Sequence, residues 1–336
     1  MKAVRTDREL ECPNLDAGLL ARGVELVTLP EHVSEEQLMT EVANADLLLM
    51  CYTRITARVI QAASRLRGIV KYGVGIDAID LEAARSLCIP VVNIPEYAEE
   101  TVAEGAFALM IALSRKLCAL DAEMKANGWA WPVQSWLGHD LAGKTLGLVG
   151  VGRIGRNLAR MAGAGFRMRV LGFDPFVDAP TMRLAGVEKC EDLPDLLGTA
   201  DFVSLHSVLN GDTRHLIGRA QFEKMKPSAV LINVSRGALV DEAALLEALR
   251  ENRIAGAGLD VFSQEPLSTS RHSLSALFSM RNVLLTPHLT FFTQEAMERL
   301  ERETLERCDE LLNNRPVLVK SRDPRLLCQT HGVVFA

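Results

Sequence analysis

The chain has 336 residues, 48% of them hydrophobic and 24% charged, which is the composition of a well-packed globular protein rather than a disordered one. The formal net charge of -6 is spread along the chain and argues against a nucleic-acid partner. No apolar run approaches the roughly 18 residues of a membrane span, and the start "MKAVRTDREL" lacks the pattern of a secretory signal. We therefore expect a cytoplasmic protein with no membrane contact.

The cysteine pattern gives no sign of a metal site or a disulfide framework. Seven cysteines are scattered along the chain, without a Cys-x-x-Cys pair or a His/Cys cluster. This spacing is typical of free thiols in a reducing compartment. We predict no metal, and the length favours two domains over one core.

Two stretches of the chain alternate short apolar runs with amphipathic segments. The first extends from Val4 to Ile94 and the second from Thr145 to Leu285. Because strand and helix trade places, each stretch predicts a doubly wound parallel sheet covered by helices on both faces, an α/β fold. Between them, residues 99–127 contain no proline and predict one long helix ended by Gly128. Another helix is expected over residues 293–313.

A glycine-rich segment opens the second stretch. "TLGLVGVGRIGRNLA" places Gly150, Gly152 and Gly155 in the G-x-G-x-x-G spacing between a strand and a helix. Such glycines allow a tight turn, the approach of backbone to a pyrophosphate, and close packing of helix on strand. Asp174 ends the next strand, where a carboxylate meets the adenosine ribose. The alternative, glycines that only shape a turn, is disfavoured by this complete strand, turn, helix and strand context.

The carboxylate at position 174 also indicates which dinucleotide is bound. A negative charge there repels the 2'-phosphate of NADP, so NAD is the predicted cofactor. Arg153 and Arg156 lie close enough along the chain to weaken that preference.

Polar side chains follow three later strands, at the edge where ligands bind to parallel sheets. Arg236 follows "AVLINV", Asp260 follows "AGAGL", and His288 follows "NVLLT"; Glu265 comes five residues after Asp260. Each could be only a cap, a turn former or a core residue. Their shared position beside the predicted nicotinamide site favours a catalytic role for these residues.

These residue types suit hydride transfer to a carbonyl carbon. His288 can donate a proton to the developing alkoxide, and a neighbouring carboxylate such as Glu265 favours its protonated form. The Arg236 guanidinium can hold the carboxylate of a 2-oxo acid and polarise its carbonyl.

Several motifs together resemble the D-isomer-specific 2-hydroxyacid dehydrogenase family over about residues 40–315. They are "GVGIDAID" at 73–80, the glycine segment, "NVSRGALVDE" at 233–242, "AGAGLDVFSQEP" at 255–266 and "TPH" at 286–288. The resemblance implies a flavodoxin-like substrate domain of residues 1–98 and 291–336 and a Rossmann NAD-binding domain of residues 99–290. It also implies a homodimer built around the NAD-binding domain.

The resemblance also implies roles for individual residues. Arg236, Glu265 and His288 are the predicted catalytic residues, and Asp260 is expected to meet the nicotinamide carboxamide. The predicted substrate-binding residues are Tyr52, Val74, Gly75, Arg236 and His288, with the backbone of Val74 and Gly75 holding the substrate carboxylate. The predicted cofactor-binding residues are Gly150, Gly152, Arg153, Ile154, Gly155, Asp174, His206, Thr213, Val234, Ser235, Asp260 and His288.

Departures from the family pattern bear on the substrate. Met50 and Cys51 stand where many members, including phosphoglycerate dehydrogenases, have an arginine before a serine. "LTFFT" after His288 and "KYG" at 71–73 are similar to the branch that contains the C-terminal-binding proteins. The leading hypothesis is an NAD-dependent 2-hydroxyacid dehydrogenase that runs mainly as a 2-oxo acid reductase. Phosphoglycerate dehydrogenase and an NAD-regulated, corepressor-like binding protein are the alternatives.

The residues after His288 give the best clue to the substrate pocket. Thr290, Phe291 and Phe292 stand where small residues are common in the family, which predicts a pocket that is apolar on one side.

Overall fold

The computed structural model describes residues 1–336. The chain separates into two compact units, residues 1–98 with 293–336 and residues 99–292. Each unit is built on a parallel sheet, so the predicted α/β class with two parallel sheets is confirmed. No helix combines the length and apolar character needed to cross a membrane.

The first unit begins with alternating strands and helices. The strands are β1 (Lys2–Arg5), β2 (Glu25–Thr28), β3 (Leu47–Met50), β4 (Gly68–Lys71) and β5 (Val91–Asn93), and the helices are α1 (Pro13–Ala21), α2 (Glu35–Val42), α3 (Ala57–Ala62) and α4 (Leu81–Ser86). The sheet order is β2-β1-β3-β4-β5, which is the flavodoxin-like order. The central strands β3 and β4 are buried along their whole length because helices cover both faces.

The second unit contains a seven-stranded parallel sheet. Its strands are β6 (Thr145–Val149), β7 (Arg169–Phe173), β8 (Glu188–Lys189), β9 (Phe202–Leu205), β10 (Val230–Asn233), β11 (Gly256–Leu259) and β12 (Val283–Leu285). Its helices are α5 (Glu99–Ser114), α6 (Leu117–Asn127), α7 (Arg153–Arg160), α8 (Ala179–Leu184), α9 (Leu193–Thr199), α10 (Arg219–Lys224) and α11 (Glu242–Arg250). The order β8-β7-β6-β9-β10-β11-β12 is the Rossmann order with one added strand. One apolar core includes α9, α10 and α11, and the other includes α5, α7 and α8.

The chain then returns to the first unit. The final elements are α12 (Gln294–Leu312), β13 (Val317–Val319), α13 (Pro324–Leu327) and β14 (Val333–Phe335). Buried Glu301 of α12 accepts a hydrogen bond from the Leu15 backbone N–H at 2.8 Å, at the start of α1. The Gln329 side chain bonds both backbone groups of Val91 on the edge strand β5, at 2.7 Å to the N–H and 2.9 Å to the carbonyl. These contacts fasten the returning segment to the first sheet.

The single helix predicted over residues 99–127 is wrong, because the structure has two helices there. Lys116 lies between α5 and α6 with φ of +52°, a conformation that no helix interior contains. The Ser114 carbonyl instead accepts a hydrogen bond from the His139 N–H at 2.9 Å, so a later loop covers the end of α5. Sequence periodicity could not reveal this long-range contact.

Candidate active site

The glycine turn after β6 has the shape that the sequence predicts. Gly150 has φ of +94°, and a Cβ there would lie 2.7 Å from the carbonyl carbon of His206. A Cβ at Gly155 would lie 2.6 Å from the Gly150 oxygen. Both positions therefore require glycine. Gly152 begins α7 and has nothing within 4 Å of its Cβ position, which leaves its backbone accessible to a phosphate. The turn fits a dinucleotide.

Asp174 lies beside this turn. Its Oδ2 accepts a hydrogen bond from the Val151 N–H at 2.9 Å, and its Oδ1 accepts one from the Phe176 N–H at 2.9 Å. The carboxylate is fixed by backbone donors, and its remaining lone pairs can accept ribose hydroxyls. The structure therefore brings Asp174 and the glycine turn together.

The helix residues of the turn have local partners. Arg153 forms an ion pair with Glu99 at 2.9 Å, and Arg156 donates to the Gly152 carbonyl at 3.2 Å. Ile154 packs against the apolar core of the second unit. The two arginines that could weaken the preference for NAD thus have acceptors within the protein.

His206 is held directly behind the turn. Its N–H donates to the Val149 carbonyl at 2.8 Å, and its Nε2 lies 2.8 Å from the Ser204 hydroxyl. Burial lowers the pKa of His206 to about 4, so the ring is neutral near pH 7. A neutral histidine here adds no charge to the cofactor region.

Three other predicted cofactor residues make contacts within the protein in this structure. The Thr213 hydroxyl donates to the Val208 carbonyl at 2.7 Å within an exposed loop. Val234 is buried in the core, and the neighbouring Ser235 hydroxyl donates to the Ser207 carbonyl at 2.7 Å. Their contacts with a cofactor stay a prediction.

Arg236 follows β10 and is half-buried. Its Nη1 donates to the Ser235 carbonyl at 2.7 Å, and the Asn233 amide donates to the Arg236 carbonyl at 2.9 Å. A Cβ on Gly237 would lie 2.0 Å from the carbonyl carbon of Phe262. Glycine at 237 therefore lets the Arg236 turn press against the loop that leads to Glu265.

Glu265 and His288 form the predicted pair. The His288 Nδ1 lies 2.8 Å from the Glu265 Oε2, and the Phe262 N–H donates to the Glu265 Oε1 at 2.8 Å. The side chains are 29% and 30% exposed, for His288 and Glu265 respectively, so solvent and ligand can reach both. Because the Glu265 carboxylate contacts Nδ1, Nε2 is the ring nitrogen that we assign to proton transfer.

Asp260 anchors the His288 turn. Its carboxylate is fully buried and accepts four hydrogen bonds: from the Thr286 hydroxyl (2.5 Å), the Leu289 N–H (3.0 Å), the Thr290 N–H (3.1 Å) and the Thr290 hydroxyl (2.7 Å). The Asp260 carbonyl also accepts from the His288 N–H, at 2.7 Å. His288 itself has φ of +57°. The Asp260 carboxylate therefore serves the turn in this structure, and the contact of Asp260 with the nicotinamide stays a prediction.

The predicted apolar wall after His288 is only partly present. Thr290 bonds to Asp260, and Phe291 is 7% exposed, with its ring edge toward His288 at a centroid distance of 6.5 Å. Phe292 alone is well exposed, at 47%. A Cβ on Gly105 of α5 would lie 2.7 Å from the Thr290 Cβ, so glycine at 105 makes room for threonine at 290.

The predicted substrate residues of the first unit follow β3 and β4. Asp7, buried and with φ of +56°, accepts hydrogen bonds from the N–H groups of Cys51 (2.6 Å) and Tyr52 (3.0 Å). The Val74 carbonyl accepts from the Asn93 amide at 2.6 Å, and Val74 is 43% exposed. The loops that carry Tyr52, Val74 and Gly75 are therefore held by buried polar groups.

A dinucleotide turn with its ribose carboxylate, and an arginine and a Glu–His pair at the strand ends of the same sheet, define an NAD-dependent oxidoreductase. The family model described as D-isomer specific 2-hydroxyacid dehydrogenase, NAD binding domain, matches residues 107–290. The chain belongs to the D-isomer specific 2-hydroxyacid dehydrogenase family. It is an NAD-dependent 2-hydroxyacid dehydrogenase that interconverts 2-hydroxy and 2-oxo acids.

Three similar proteins place this result. A glyoxylate reductase of Korarchaeum cryptofilum is 41% identical over 270 residues, which are 80% of this chain and 80% of the relative. A D-3-phosphoglycerate dehydrogenase of Methanocaldococcus jannaschii is 38% identical over 284 residues, 84% of this chain, and this chain spans about half (53%) of its length. The structure of D-lactate dehydrogenase from Aquifex aeolicus complexed with NAD and lactic acid has a TM-score of 0.82 and 28% identity, covering 93% of this chain and 95% of that one.

The predicted family is thus confirmed, and so is the cofactor. These relatives are reductases and dehydrogenases, so the finer likeness to C-terminal-binding proteins finds no support among them.

Proposed function

We propose that the protein reduces a short 2-oxo acid with NADH and that glyoxylate is the first candidate substrate. The similarity to a glyoxylate reductase across 80% of both chains carries this proposal. The half-buried Arg236 guanidinium suits a small substrate that carries a carboxylate beside its carbonyl.

The residues at the strand ends have complementary roles in this reaction. Bound NADH supplies the hydride. Arg236 binds the substrate carboxylate and polarises the carbonyl, and His288 gives the proton on Nε2 to the carbonyl oxygen as the alkoxide develops. Glu265, 2.8 Å from Nδ1, orients the ring so that Nε2 can face the substrate. In the reverse direction His288 accepts the hydroxyl proton.

The first unit contributes substrate-binding residues in this proposal. Val74 is exposed and Gly75 is partly exposed, and in this proposal their N–H groups donate to the substrate carboxylate. The Asn93 amide, which donates to the Val74 carbonyl, holds the loop in place. Tyr52 forms a further wall of the substrate pocket in this proposal.

A substrate panel tests the activity. The purified protein should oxidise NADH with glyoxylate, hydroxypyruvate, pyruvate and phenylpyruvate. The kcat/KM should be highest for glyoxylate, the smallest of the four acids, and lowest for phenylpyruvate, the largest. NADPH serves as the cofactor control and should be the poorer donor because of Asp174. Absence of turnover with every acid would refute the proposal.

A second candidate substrate is a phosphorylated 2-hydroxy acid. The similarity to a D-3-phosphoglycerate dehydrogenase over 84% of this chain favours it. Met50 and Cys51, where an arginine and a serine are common, weigh against a phosphate site, although exposed Arg54 lies nearby. Including 3-phosphohydroxypyruvate in the panel decides between them, since a preference for it over glyoxylate would reverse the ranking.

The NAD-regulated binding protein is a further alternative, from a different class. Such a protein would change its assembly or its partner binding with NADH and turn over no substrate. Measuring turnover and sedimentation with and without NADH separates the two classes.

We also propose that the protein is a homodimer, as the resemblance implies. α6 contains no buried residue, and the segment after it exposes Trp129 (60%), Trp131 (73%) and Leu137 (60%). Such a contiguous apolar surface favours a protein partner. Light scattering should give a dimer mass that falls toward the monomer for Trp129→Ser/Trp131→Ser. The control Leu20→Ser, at a 57% exposed position of α1, should stay dimeric. A monomeric wild type would exclude the dimer.

A further inference from the structure

Lys71 at the end of β4 is a buried cation. It is 6% exposed, and its Nζ donates to the Cys51 carbonyl at 2.6 Å and lies 3.2 Å from the Cys51 Sγ. The ammonium also lies 5.6 Å from the centre of the Tyr52 ring. Its partners are thus a carbonyl, a thiol and an aromatic ring, none of which carries a formal negative charge.

No carboxylate forms an ion pair with this ammonium. The buried acid of the same region, Asp7, accepts five hydrogen bonds, all from Thr6, Cys51, Tyr52 and Thr53. A buried charge is costly unless a counter-charge compensates it. Lys71 therefore keeps a buried positive charge whose direct contacts include no carboxylate.

The Lys71 ammonium lies next to the loop that begins at Gly73. Gly73 has φ of +148°, and a Cβ there would lie 2.8 Å from the Lys71 Nζ. The next two residues, Val74 and Gly75, carry the N–H groups to which the proposed function assigns the substrate carboxylate. Lys71 thus brings a positive charge next to the loop of residues 73–75, whose own groups are neutral.

We propose that Lys71 determines specificity for an anionic substrate by supplying the charge that attracts the carboxylate to the loop of residues 73–75. The loop N–H groups provide direct hydrogen bonds to the carboxylate. The Lys71 ammonium next to Gly73 strengthens these hydrogen bonds, because its attraction for the carboxylate is strong in the low-dielectric protein interior. This inference rests on the proposed function and assigns to Lys71 no proton transfer and no contact with the cofactor.

Removing the charge gives the first test. Lys71→Met should raise KM for glyoxylate and pyruvate on the order of tenfold and change kcat less than about twofold. The Ki of oxamate, an anionic 2-oxo acid analogue, should rise in parallel, whereas kcat/KM for the neutral ester methyl pyruvate should stay unchanged. Lys71→Arg, which keeps the charge, should restore most of the affinity for the acids. A purely structural Lys71 would affect the acid and the ester equally.

Neutralising the charge without removing the lysine gives a second, independent test. Cys51→Asp places a carboxylate where the Sγ lies 3.2 Å from the Lys71 Nζ, and Cys51→Asn is its uncharged match of nearly equal size. Cys51→Asp should raise KM for the acids several-fold more than Cys51→Asn does. This pair keeps the proposal testable if Lys71→Met does not fold.

The outcomes separate the two levels of the argument. A wild type that reduces no 2-oxo acid with NADH contradicts the proposed function. A wild type that is active, with Lys71→Met and Cys51→Asp leaving the ratio of kcat/KM for pyruvate to methyl pyruvate unchanged, overturns only the role of Lys71.

Discussion

Asp260 in the second unit and Asp7 in the first are both buried carboxylates that hold a segment following a strand. Asp260 accepts four hydrogen bonds from residues 286–290, and Asp7 accepts five from residues 6 and 51–53. The segment on Asp260 carries His288, whose Nδ1 lies 2.8 Å from the Glu265 Oε2. The segment on Asp7 borders Lys71, which has no such partner.

The difference separates two demands of one reaction. A group that exchanges a proton needs a neighbour that stabilises its charged form, whereas a group that attracts an anion is most effective without a competing carboxylate. We therefore expect changes around Asp260 to act mainly on kcat and changes around Asp7 mainly on KM.

Removal of the proton donor is the most severe way to test the first half of this comparison. His288→Ala should lower kcat on the order of 10² to 10⁴-fold, since no other group in the proposed mechanism transfers a proton to the carbonyl oxygen. Fluorescence titration should show an unchanged Kd for NADH, and exposed His32→Ala should behave as wild type. A variant that keeps more than about a tenth of the rate would remove His288 from the acid role.

Matched substitutions at the two anchors test the comparison itself. Asp260→Asn and Asp7→Asn each leave a buried N–H without an acceptor and should each lower the free energy of unfolding by roughly 1–3 kcal/mol. Asp260→Asn should reduce kcat at least about tenfold, and Asp7→Asn should chiefly raise KM. Urea titration and steady-state kinetics measure both. If the two variants shared one kinetic phenotype, the division of roles would be wrong.

Weakening the Glu265–His288 pair should move the pH profile. Glu265→Gln removes the carboxylate that favours protonated His288, so the decline of reduction with rising pH should occur at lower pH than in the wild type. Profiles of kcat/KM for glyoxylate give the measurement, with Glu251→Gln, a surface substitution, as the control. An unshifted profile would exclude this role of Glu265.

The packing between Gly105 and Thr290 offers a finer perturbation of the same turn. Gly105→Ala should push Thr290 away from Asp260 and lower kcat several-fold, because the new methyl group would meet the Thr290 Cβ at 2.7 Å. The double variant Gly105→Ala/Thr290→Gly should recover part of the rate. Gly211→Ala, at an open position, is the control. Equal rates for all of these variants would show that the turn tolerates displacement.

The smallest expected effect concerns His206 and acid stability. Its pKa is lowered to about 4 in the folded protein from the usual 6.5, so the unfolded chain binds the proton first. The stabilising contribution is complete above about pH 6.5 and is lost as the pH falls toward 4. His206→Gln should therefore lose less Tm than the wild type between pH 6.5 and 4. A parallel loss in both proteins would assign acid sensitivity to other groups.

The sequence predicted the parts of the molecule that depend on local periodicity. Alternating apolar runs indicated both sheets, and the spacing of Gly150, Gly152 and Gly155 indicated the dinucleotide turn. Strand ends in "NVSRG", "GLD" and "TPH" placed Arg236, Asp260 and His288 on one edge. These signals are local, because a parallel sheet presents all its strand ends on the same side.

The remainder depends on contacts between distant residues. Nothing in "LTFFT" shows that the Thr290 hydroxyl turns to Asp260, and nothing near Asp7 shows that it holds a loop 44 residues further along the chain. In the sequence, Lys71 is distinctive only as part of "KYG", because its burial depends on the fold. Gly237 was detectable in "SRG", but its close approach to Phe262 required coordinates.

The Gln329 amide forms hydrogen bonds with β5, an edge strand of the first sheet. By bonding both backbone groups of Val91, it occupies hydrogen-bonding positions that another extended chain would use. The Gln329 side chain thereby occupies one position at the edge of β5, and we expect this to oppose edge-to-edge pairing with another chain. We therefore expect an alanine at position 329 to leave both backbone groups of Val91 without these partners and to make the protein more prone to aggregation, with catalysis unchanged.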